Sequence, residues 1–110
     1  MNSQAMQSEV LKGHADLLLL AALEAGPAHG YAIVEAVRSR SGGVFALAEG
    51  TVYPALYRLE RRGVVSSDWA EGDGARRRRV YRLTQKGRTE LGERRETWGD
   101  YVRAMQAALA

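Results

Sequence analysis

Between residues 50 and 63 the chain reads GTVYPALYRLERRG, and it gathers groups able to grip a polyanion. Thr51, Tyr53 and Tyr57 offer hydroxyls that can hydrogen-bond phosphate, and Arg58, Arg61 and Arg62 offer guanidinium groups that pair with phosphate or with guanine edges. Pro54 sits among them, where an ordinary surface helix would carry alanine. A second group follows in Arg76, Arg77, Arg78 and Arg79, a run able to neutralise phosphates and release counterions. From residue 58 to 88 there are ten basic side chains against four acidic ones, so the local excess says more than the net charge of +3. Charge alone is equally consistent with a solvated basic surface.

Other chemistries have little to stand on. His14 and His29 are the only histidines, and neither belongs to a metal-binding pair one helical turn apart or to a nucleophile motif. With no cysteine there is no disulfide framework, no thiol nucleophile and no thiolate metal site. The carboxylates are dispersed. No catalytic residue, metal or cofactor is expected.

The frame that must position the basic groups is small. At 110 residues the chain fits one domain, and 45% hydrophobic residues argue against wholesale disorder. The longest apolar run, ADLLLLAALEAG, is too short to span a bilayer and contains Asp16 and Glu24. The first residues lack the pattern of a secretory signal, so a cytoplasmic location without a membrane partner is expected.

Four helices and two strands are predicted. Residues 1–13 form an N-terminal arm or helix extension. A leucine-rich helix runs from His14 and stops at Gly26–Pro27. HGYAIVEAVRSRSGG forms a second helix with Ile33, Ala36 and Val37 inward, where His29 makes a local hydrogen bond. In the third, Val52, Leu56 and Leu59 face inward and Gly63 ends the helix. Its proline suits the first turn, which places the start at Gly50 or Thr51. VVSSDW and RRRRVYRLT then read as a hairpin with Tyr81 and Leu83 on one face and Arg82 on the other. Thr84 caps a long last helix, in which Leu91, Trp98, Val102, Met105 and Leu109 follow heptad spacing. Arg95 occupies a position where one more apolar residue would belong, and Gly92 and Gly99 point to close helix approach or a pore wall.

This order is mainly α with a small β-hairpin: a winged helix-turn-helix over residues 14–84, then a long C-terminal dimerisation helix over 85–110. At this point HGYAIVEAV, EGTVYPALYRLERRGVV and RRRRVYRLTQKGR together resemble the PadR family of bacterial transcriptional regulators over roughly residues 11 to 91. The resemblance implies a homodimeric repressor on a palindromic operator in double-stranded DNA. It implies that Tyr31, Thr51, Tyr53, Pro54, Tyr57 and Arg58 lie at or beside the DNA-facing surface. It is closest to the short subgroup, in which a single last helix dimerises, giving Leu91, Trp98, Val102, Met105 and Leu109 to the interface. Some short members sense drugs through a tryptophan in an apolar pore at the dimer interface. Trp98 falls where that residue would lie, so a small hydrophobic or planar effector is expected there, with an ordinary packing role as the other reading. Glu71 and Asp73 depart from a common basic wing and leave open which arginine reaches DNA. The competing readings are a winged-helix protein-interaction or dimerisation module, and another small winged-helix repressor family.

Overall fold

Leucines at 19, 20 and 23 need burial on more than one side, and the fold answers by packing the other helices and one strand around them. The computed structural model describes residues 14–71 and 77–110. The N-terminal arm, Arg76 and the side chain of Arg77 lie outside the described residues.

Helix α1 spans Ala15–Leu23, and Leu19, Leu20 and Leu23 are fully buried. It ends at Leu23, three residues earlier than Gly26. The backbone there tightens into turn hydrogen bonds, Glu24 N–H to Ala21 O and Gly26 N–H to Leu23 O, before Pro27. Two residues then form a strand that the sequence pattern does not predict, β1 (Ala28–His29). Helix α2 (Gly30–Arg40) starts at His29, whose Nδ1 accepts the Ala32 N–H at 3.3 Å. Ile33 and Val37 are buried as their spacing requires, and Ala36 packs against the core.

Helix α3 spans Glu49–Arg61 with Val52, Ala55, Leu56 and Leu59 wholly inside. It closes at Gly63, whose φ of +78° is a left-handed conformation that suits glycine, so that Val64 N–H can reach back to Leu59 O at 3.1 Å. The start differs from the expectation. Thr51 and Val52 N–H both bond to the Ala48 carbonyl, so helix begins at Glu49 and Pro54 lies in the second turn. The Gly50 carbonyl therefore has no i+4 amide donor, at a residue that is exposed.

Strands β2 (Val65–Glu71) and β3 (Arg77–Leu83) form the hairpin, and β1 adds to the free edge of β3, giving sheet order β1-β3-β2. The pairing Val65 with Leu83 and Trp69 with Arg79 sets the register that the arginine run concealed. Tyr81 and Leu83 are buried and Arg82 is exposed, as alternation demands. Helix α4 (Gln85–Leu109) is capped by Thr84, whose Oγ1 accepts Gly87 N–H at 3.0 Å and donates to Gly63 O at 2.7 Å. At 1.5 Å per residue it runs for roughly 37 Å, and its second half projects beyond the rest of the domain.

A candidate nucleic-acid interface and an apolar cavity

The N-terminus of α2, the outer face of α3 and the base of the hairpin enclose one groove. Its lining is His29, Gly30, Tyr31, Tyr53, Trp69, Arg78, Arg79 and Tyr81, with a volume of about 690 Å³. Among the described residues no carboxylate lines it. The phenol of Tyr53 lies directly over Gly30, where a β-carbon would come within 2.5 Å of Tyr53 Oη, so this position of the ring depends on the bare Cα of Gly30. Tyr31 stacks on the His29 ring at 6.3 Å and is 70% exposed. Burial raises the pKa of the Tyr81 phenol above its ordinary value, so it stays a neutral hydroxyl at the floor.

Thr51, Tyr53, Pro54, Tyr57 and Arg58 are all exposed on the face of α3 opposite its apolar stripe. Arg61 lies over the Tyr57 ring at 5.8 Å and donates to its hydroxyl at 3.4 Å, making one aromatic–cationic patch. Arg58 approaches Asp16 of α1 at 3.8 Å, a partly exposed pair that contributes little to stability. Arg62 points elsewhere. It is ion-paired to Glu90, and Lys86 donates to its carbonyl at 2.8 Å, so it belongs to the α3–α4 junction.

The hairpin arginines divide by strand parity. Arg79 shares the inward face with Tyr81, donates from Nε to Ser67 at 2.9 Å, lies 3.6 Å from Glu60 and covers the Trp69 ring at 5.2 Å. Ser67 donates in turn to Glu60 at 2.7 Å. These partners tie the hairpin to α3. Arg78 is on the opposite face, exposed, with Nη1 3.1 Å from His29 Nε2. His29, Gly30 and Trp69 were not among the expected site residues. The HGY triplet carried a signal for the first two, but Trp69 became visible only once the strand register placed it beside Arg79.

A second feature lies on the far side of α1. Leu17, Leu18, Ala21, Phe45, Leu91 and Trp98 line an apolar cavity of about 210 Å³, with His14 and Arg95 at its rim. His14 meets the Trp98 indole edge-on at 5.1 Å, and Tyr101 stacks on it at 5.4 Å. Trp98, Tyr101, Met105 and Leu109 are exposed along α4, and Val102 is half-buried. Leu91 corrects the heptad reading. It is 1% exposed within the chain's own core, so its side chain is committed to α1 and has no surface left for a partner. Among the described residues a β-carbon at Gly92 would meet nothing within 4 Å, so their packing does not call for that glycine.

The PadR-like family of transcriptional regulators matches residues 19–93, from α1 through the first third of α4. The chain belongs to that family. A transcriptional regulator of Mycobacterium tuberculosis is 43% identical over 65 residues, covering 59% of this chain and 58% of that protein. The crystal structure of a PadR family regulator from Eggerthella lenta superposes with a TM-score of 0.80 at 31% identity, over 96% of this chain and 90% of that one. Bacillus subtilis PadR in complex with operator DNA shares the fold, with a TM-score of 0.66 at 23% identity over 72% of this chain and 45% of that one. This PadR-family chain is thus a winged-helix transcriptional regulator and not an enzyme. No described helix is long and apolar enough to cross a membrane, and no cluster of metal-ligating side chains occurs among the described residues.

Proposed function

We propose that this PadR-family regulator is a cytoplasmic homodimeric repressor that reads a palindromic operator and is released by a small hydrophobic or planar effector. The observation that carries the reading is the carboxylate-free groove at which Tyr31, Tyr53 and Arg78 converge, continuous with Thr51, Pro54, Tyr57 and Arg58 on α3. Residues 14–84 do the reading and residues 85–110 the dimerisation. Trp98, Val102, Met105 and Leu109 supply the apolar seam, where Leu109 is 77% exposed on a single chain. Two-fold symmetry then sets two α3 helices on half-sites about 34 Å apart. The operator complex of the Bacillus subtilis relative supports this use of the fold. Within this arrangement Arg78 touches phosphate and Arg79 holds the hairpin in place.

The apolar cavity against Trp98 is the effector site of this proposal. Its walls are aliphatic and aromatic, and the exposed indole offers a stacking surface to a planar molecule. Titration of a labelled duplex from the gene's own promoter tests the core of the reading. Binding should exceed that to a scrambled duplex and weaken steeply with salt. Equal affinity for both duplexes would remove operator recognition.

A further inference from the structure

We propose that His29 and Arg78 form a two-donor clamp on a single phosphate of the DNA backbone, an inference that rests on the DNA-binding reading above. His29 stands at a junction, as the last residue of β1, the partner of Val80 in β3 and the N-cap of α2. Its Nδ1 accepts the Ala32 N–H at 3.3 Å, and its Nε2 lies 3.1 Å from Arg78 Nη1. These two contacts cannot both be hydrogen bonds. A neutral imidazole that accepts at Nδ1 carries its proton on Nε2, and that N–H then faces a guanidinium N–H, donor against donor. Moving the proton to Nδ1 lets Nε2 accept from Arg78 but turns Nδ1 against the Ala32 amide. Protonating both nitrogens loses both acceptors and sets one cation beside another. No protonation state satisfies the pair from within the chain.

An oxygen that accepts from both groups resolves the conflict, and a phosphate oxygen can take several charge-assisted hydrogen bonds at once. The surroundings select an anion. The groove contains Tyr31, Tyr53 and Arg79 beside the pair and has no carboxylate in its lining among the described residues. A backbone phosphate fits better than a free one, because the groove runs on into the exposed face of α3. His29 therefore has two separable jobs, capping α2 through Nδ1 and holding phosphate through Nε2.

His29→Asn separates them, since asparagine keeps an N-cap acceptor but has no group at the Nε2 position. Promoter duplexes carrying one neutral methylphosphonate linkage at a time serve as probes for the full-length chain. Wild type should lose roughly tenfold in affinity at one linkage per half-site. His29→Asn and Arg78→Gln should each bind the unmodified duplex about tenfold more weakly and become indifferent to that linkage, at an unchanged melting temperature for His29→Asn. In parallel, ¹⁵N spectra follow the His29 ring during titration with duplex and with inorganic phosphate. A His29→Asn variant with wild-type affinity and a wild-type linkage profile overturns the clamp and leaves DNA binding standing. A His29 ring that shifts with inorganic phosphate in a chain that binds no duplex overturns the DNA reading and reassigns the site to a free anion.

Discussion

Arg95 in α4 donates two hydrogen bonds to the carboxylate of Glu24 at the end of α1, at 3.2 and 3.0 Å. That fork-to-carboxylate pair accounts for the arginine that interrupts the apolar heptad of α4. At this position the helix faces the end of α1 in the same chain, and a long charged side chain reaches it while its stem lines the apolar cavity. The arginine holds Glu24 below its ordinary pKa of 4.5 and is itself held higher. A carboxyl lowered in the folded chain favours folding above about pH 4.5, and that contribution fades as pH falls through the lowered value. Glu24→Gln should therefore melt below wild type at neutral pH and converge with it in acid, as read by calorimetry across pH.

The division between the two hairpin arginines predicts opposite phenotypes. Arg79→Ala removes the ties to Ser67, Glu60 and Trp69 and should lower stability by about 1 kcal/mol. Arg78→Ala should leave the melting temperature unchanged, weaken binding to all duplexes and flatten the salt dependence. Thermal melts beside anisotropy titrations read both, and equal melting temperatures for the two variants would contradict the assignment.

Gly30→Ala should drive the half-exposed Tyr53 ring out of the groove, at about 1 kcal/mol, the low end of overpacking costs, because the ring can swing toward solvent. Adding Tyr53→Ala should restore much of the stability without restoring DNA affinity, because the ring that clashes is also the ring that lines the site. Chemical denaturation of the single and double variants checks the first part, and duplex titration the second.

On α4, Leu91→Ala should destabilise the single chain by about 2–5 kcal/mol, as loss of a fully buried leucine does. Leu109→Ser should leave the fold intact and shift the monomer–dimer equilibrium toward monomer, seen by sedimentation across a concentration series. Planar dyes should quench Trp98 emission in a Trp69→Phe background, and Trp98→Ala should abolish the tight phase of binding followed by the dye's own fluorescence anisotropy. Unchanged titration in that variant would reject the effector site.

Pro54→Ala gives the Gly50 carbonyl its missing donor and should raise stability by about 1 kcal/mol, less than the roughly 3 kcal/mol of a proline deep in a helix. The same change should weaken operator binding by altering the exposed face of α3.

Much of this fold could be read from residue order, because the features involved are local. Thr84 as a cap, the Val52–Leu56–Leu59 stripe and the Tyr81–Leu83 alternation each need only their neighbours in sequence. Strand β1 could not be read that way. Two residues after a proline become a strand only because β3 presents them an edge, which is a tertiary event. The start of α3 was displaced for a related reason: Ala48 offers no side-chain cap to mark it, and only its backbone carbonyl sets the first turn.

The residues of the proposed interface divide in the same way. Tyr31, Tyr53 and Arg58 stand in motifs, whereas the separate tasks of Arg78 and Arg79 depend on strand parity, which a run of identical residues hides. Heptad spacing likewise marks Leu91 as apolar and inward, but cannot say whether the inside belongs to one chain or two.

The placement of β3 between two strands has an evolutionary consequence. Because Val80 and Tyr81 are held by β1 on one edge and by β2 on the other, the base of the hairpin keeps its orientation independently of its far end. Residues 72–76 can then lengthen, shorten or change sign among descendants without re-aiming Arg78.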